Sequence, residues 1–62
     1  MRSKAWYVHF PGDAYALGPL RFDRPLNESE ARAAARYLWN GPEHPKRRLP
    51  QGTEVWPVSK RN

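Results

Sequence analysis

Between Leu26 and Pro42 the chain spells out a helix together with both of its ends, and the rest must be arranged around it. Asn27 is placed to accept from the backbone N–H three residues on, and Glu30 to reach back, a capping box with Asn in the cap. Leu26 precedes the cap, in the hydrophobic-staple position. Glu28 and Glu30 put negative charge at the positive end of the helix dipole. Glu28, Arg32 and Arg36 follow at four-residue spacing and form a wet face. Ala31, Ala34, Ala35 and Leu38 have the spacing of a buried stripe. Asn40-Gly41-Pro42 ends the helix, because Asn or Gly takes the left-handed cap and Pro cannot continue. A stripe made mostly of alanine lets the helix axis approach its neighbour closely, so that neighbour must supply the large side chains.

The neighbour is expected to be a sheet. Ala5–Phe10 alternates, with Trp6, Val8 and Phe10 on one face and Ala5, Tyr7 and His9 on the other. Pro11-Gly12-Asp13 is a turn, with Pro presetting one φ and Gly tolerating the next. Ala14–Leu17 is the returning strand. It is interrupted at Gly18-Pro19, so that it must be an edge or be bulged there, and it resumes at Leu20-Arg21-Phe22. Residues 41–52 are rich in proline and carry the basic triplet Lys46-Arg47-Arg48, the pattern of a surface loop. Thr53–Val58 is the last strand, with Pro57 suited to an edge. The predicted fold is α+β, with element order β-β-α-β and a three-stranded antiparallel sheet ordered 2-1-3 under one helix. Trp6, Val8, Phe10, Leu17, Leu38 and one of Trp56 or Val55 are the expected core.

Sixty-two residues make a single small domain, and a chain this short buries only about 60% of its unfolded surface. There is no cysteine, hence no disulfide and no thiolate metal site. Three Trp, three Tyr and two Phe must supply most of the burial. Self-association is the other usual remedy for a small core, so a homodimer is one expectation. No apolar run is long enough to span a membrane, and no apolar segment marks a secretory signal. The expected location is the cytoplasm.

The net charge of +5 invites a nucleic-acid reading. Residues 5–58, however, hold seven basic residues against six acidic ones, an excess of one. The other four positive charges, Arg2, Lys4, Lys60 and Arg61, lie in basic tails at residues 1–4 and 59–62. In a 2-1-3 sheet the start of the first strand and the ends of the other two share one end. Arg2, Lys4, Arg21, Arg24, Lys60 and Arg61 are then candidates for one patch that could bind phosphate. The alternative is that the tails only aid solubility.

A single helix covers one side of the sheet, which leaves Tyr7, His9 and the outward residues of the last strand exposed. Exposed Tyr and Trp anchor protein interfaces, and on an open sheet they also stack bases. Tyr7 serves equally well as the back of a small core. Trp39 stands at the exposed end of the helix. Tyr7, His9, Trp39 and Trp56, with Arg47 and Arg48 as rim charges, are the candidate protein-interface residues. No catalytic or metal site is read. His9 and His44 have no second ligand at metal spacing, the serines lack a nucleophile elbow, and Gly18 and Gly41 form no phosphate loop. The expectation is a non-enzymatic protein that needs no cofactor.

Three resemblances bear on this. Tyr15–Leu20 followed by Glu30–Leu38 resembles one half of a SPOR peptidoglycan-binding domain, in which a Gly-Pro-apolar strand end leads into an Ala-rich helix. The second half that the family fold requires is absent, so no binding residues carry over. The element order with basic ends is similar to the arm-type DNA-binding domains of tyrosine recombinases, although those place three strands before the helix. Eight Arg against three Lys, no Ile and abundant Ala and Pro resemble the residue usage of accessory proteins of bacteriophages with high-GC hosts. That last resemblance implies a protein that binds and alters a host protein. The expected function is therefore protein–protein interaction, with nucleic-acid binding through the basic end as the alternative.

Overall fold

The structure, a computed structural model, describes residues 2–44 and 47–58. The elements run β1 (Ser3–His9), β2 (Leu17–Leu26), α1 (Glu28–Asn40) and β3 (Glu54–Pro57). The three strands form one sheet ordered β2-β1-β3, with β1 antiparallel to both neighbours. This is the α+β arrangement the sequence predicts, with α1 on one face.

The helix has the ends that its residues dictate. The Asn27 side chain accepts from the Glu30 N–H at 2.8 Å, and the Glu30 carboxylate accepts from the Asn27 N–H at 2.9 Å. At the other end Gly41 takes φ 80° with ψ 173°, an extended glycine conformation in place of the expected left-handed cap, and its N–H donates to the Tyr37 carbonyl at 2.8 Å. Ala31 and Ala35 are fully buried. Ala31 packs with Trp6 and Leu26, and Ala35 with Val8 and Phe10. Small side chains thus seat the helix directly on the large residues of β1.

The structure corrects the core at two positions. Leu17 and Leu38 are 42% and 50% exposed. Leu26 is buried instead, since the residue before the cap turns inward beneath α1. Val55, opposite Val8, packs against the core, whereas Trp56 points to the other face. Pro57, opposite Trp6, is also buried, as an edge strand allows. The Trp6 indole N–H is satisfied by the carbonyls of Ser3 and Leu26, at 2.9 and 3.2 Å.

β2 is displaced from its sequence pattern: it starts at Leu17, not Ala14, and ends at Leu26, not Phe22. It runs unbroken through Gly18-Pro19, whose peptide bond is cis, and on to Leu26. Pairing with β1 shifts register twice, between Val8↔Leu17 and Trp6↔Leu20 and again between Ala5↔Arg21 and Ser3↔Leu26. The irregularity expected at Gly18-Pro19 is therefore a bulge within one edge strand. The Pro11-Gly12 turn is closed by a bond from the Asp13 N–H to the Phe10 carbonyl, with Gly12 at φ 90°.

Candidate functional site

The sheet face away from α1 carries a pair of stacked aromatics. Tyr7 and Trp56 are direct partners across β1 and β3. Their ring centroids lie 5.7 Å apart with planes inclined by 25°. Both rings are half-buried. Gly18 on β2 lies beside the Tyr7 ring, where a Cβ would come within 3.4 Å of the ring. His9 and Glu54 are paired two residues further along the same two strands. The His9 Nε2 lies 2.9 Å from the Asp13 carbonyl, so that nitrogen donates and the ring is tied back to the β1–β2 turn. The result is a shallow platform with a flat aromatic centre and polar groups at one end.

Trp39 stands elsewhere. It tilts against Phe10 with centroids 4.8 Å apart, yet remains 49% exposed. The Asn40 side-chain amide donates to the Arg47 carbonyl at 3.0 Å, which ties the loop to the end of α1. Arg47 and Arg48 are exposed there, at the Phe10 end of the sheet. Trp39, Arg47 and Arg48 therefore belong to the helix end and not to the Tyr7–Trp56 platform.

The cation candidates divide as well. Register puts Arg21 opposite Ala5 and Ser3 opposite Leu26, so Arg2, Lys4, Arg21 and Arg24 share one end of the sheet. All four are exposed. Arg24 is engaged by Glu30 at 2.9 Å. The Asn27 backbone N–H and then Arg24 hold the Glu30 carboxyl below its ordinary pKa, with a smaller contribution from Arg2. Lys60 and Arg61 lie outside the described residues, as does Lys46 of the loop triplet.

A further surface was not read from the sequence. α1 packs against residues of all three strands, Leu20, Phe22 and Leu26 of β2 among them, and a gap remains between its outer side and β2. The resulting groove, about 310 Å³, is lined by Leu20, Phe22, Ala34, Tyr37 and Leu38, with Arg21 at its border. Tyr37 and Leu38 are 54% and 50% exposed. The signal was present in the apolar alternation of Leu20 and Phe22, but assigning Leu38 to the core concealed it.

Among the described residues no group of three or more His, Asp or Glu side chains is placed to hold a metal ion. No helix among them is long and apolar enough to cross a membrane. Every buried side-chain nitrogen and oxygen among them has a hydrogen-bond partner. No family model, curated protein or solved structure matches the chain.

Proposed function

We propose that this is a non-enzymatic, cytoplasmic binding protein that acts through protein–protein contact on its open sheet face. The observation that carries the reading is the stacked Tyr7–Trp56 pair on the side of the sheet the helix does not cover. Tyr and Trp supply large contact area with little side-chain entropy to lose, and each offers a polar atom for a hydrogen bond. His9 and Glu54 would set the polar rim. Trp39 with Arg47 and Arg48 offers a second contact area at the helix end. The resemblance in residue usage to phage accessory proteins is what favours a host protein as the partner.

Affinity capture from the native host, with and without nuclease, tests the proposal. A protein retained after nuclease and at raised salt is expected. Tyr7→Ala or Trp56→Ala should weaken it by about 2 kcal/mol or more, the scale of an interface hot spot, with the circular dichroism spectrum retained. The second reading, a nucleic-acid module, rests on Arg2, Lys4 and Arg21 gathering at one end of the sheet. It predicts retention lost with nuclease and a log–log salt slope near −0.9 per phosphate contacted on duplex DNA. Neutralising Arg2, Lys4, Lys60 and Arg61 would then abolish binding.

A further inference from the structure

We propose that two copies of this chain pair through the free edges of their β2 strands, forming a continuous six-stranded sheet with both helices on one side. β2 is an edge strand, bonded to β1 only. At ten residues it is the longest described strand, and an edge of that kind presents unpaired N–H and C=O groups to any matching strand.

The residues of β2 select both the partner and the register. Pro19 and Pro25 have no N–H, so pairing is confined to Leu20–Arg24, whose midpoint is Phe22. An antiparallel pair about a two-fold axis at Phe22 sets Pro19 against Pro25 and Leu20 against Arg24. It also sets Arg21 of each copy against Asp23 of the other. Arg21 and Asp23 are both exposed, and residues two apart on a strand share a face. The symmetric register therefore creates two opposite-charge cross-strand pairs, from side chains that have no ion pair among the described residues. A shift of one residue would lose both pairs. This self-complementarity marks a second copy as the partner.

The groove completes the argument. α1 seats Ala31 and Ala35 on β1. In the paired sheet the two β1 strands lie three strand spacings apart, roughly 14 Å. Packed helices sit about 8–10 Å apart, so the facing helices leave a gap that only side chains can fill. Phe22, Tyr37 and Leu38 of both grooves line that gap, and their exposed apolar surface becomes the interior of the dimer. This interface is separate from the Tyr7–Trp56 platform and stands whether or not that platform binds a partner.

Sedimentation equilibrium on the full chain tests the proposal. Twice the 7.2 kDa chain mass is expected. Arg21→Glu or Asp23→Arg alone turns both cross-strand pairs repulsive and should weaken dimerisation about tenfold or more. The double reversal Arg21→Glu/Asp23→Arg restores both pairs and should return the association close to that of the original chain. Circular dichroism confirms that each variant is folded. A monomer at concentrations up to about 1 mM, the weakest association worth a specific interface, overturns the proposal. So does a dimer indifferent to the single reversals, or one that the double reversal fails to restore.

Discussion

Gly18 lies so close to Trp6 that a Cβ built on it would stand 2.9 Å from the Trp6 carbonyl oxygen. It would also meet the Leu20 nitrogen at 2.8 Å, and the backbone there has a φ of +121°. Both obstacles are backbone atoms, which cannot swing aside. Gly18→Ala should therefore cost on the order of 3 kcal/mol, through a disfavoured φ and disruption of the β1–β2 pairing. Urea denaturation measures it. Gly12→Ala is the comparison: it meets nothing within 4 Å, and only its positive φ opposes the methyl, at about 1–2 kcal/mol. Equal losses at the two positions would contradict the close approach.

The Asn27 cap should be worth about 1 kcal/mol, the usual loss on replacing such a cap by Ala. In a domain of this size that lowers the melting temperature by about 4–8 °C. A thermal scan of Asn27→Ala against the original chain checks the value. An Asn27→Ser variant keeps a side-chain acceptor and should recover most of the loss.

Glu30 gives the fold a pH dependence of known sign. Its folded pKa lies below the ordinary carboxylate value, because it accepts from the Asn27 N–H and from Arg24. The unfolded state therefore takes up the proton first as pH falls. The stabilisation is fully present above the unfolded pKa and is lost as pH falls through the folded one. Glu30→Gln retains an acceptor for the Asn27 N–H but loses the charge. The original chain should be the more stable at pH 7, and the difference should shrink as Glu30 is protonated. A gap that does not change with pH would mean that the charge on Glu30 contributes nothing.

Phe10 and Leu38 separate the observed core from the expected one. Phe10 is 4% exposed, whereas Leu38 is 50% exposed. Phe10→Ala should cost about 3–5 kcal/mol, most of the roughly 3–5 kcal/mol that a core of this size supplies. Leu38→Ala should cost well under half as much. Denaturant titration of both variants, carried out dilute enough to keep the chain monomeric, decides it. A larger loss at Leu38 would return that residue to the core.

The parts of the fold that were legible in the sequence are those fixed by local chemistry. The capping box of Asn27 and Glu30, the alternation of Trp6, Val8 and Phe10, and the Pro11-Gly12 turn each specify their own geometry. Strand order then followed, because a hairpin and a returning helix leave little choice. What escaped depends on where one element lies across another. The spacing of Ala31, Ala35 and Leu38 marks a common stripe, but only the way the helix lies across the sheet leaves Leu38 half-exposed beside the β2 groove. Leu26 was legible as a staple and not as core, because its burial depends on how the chain turns beneath α1. For the candidate surfaces, alternation put Tyr7 on the open face. That Trp56 would be its stacking partner depended on a register that no local signal sets.

The three tryptophans occupy three different environments: Trp6 is 2% exposed beneath α1, Trp39 is 49% exposed at the helix end, and Trp56 is stacked on Tyr7. Indole emission follows local polarity and quenching, so the molecule carries three built-in optical probes. A ligand on the open face should perturb Trp56 first, and a contact at the helix end should perturb Trp39. The Trp6 signal should move only when the fold itself opens, which lets recognition and unfolding be told apart by light without attaching any label.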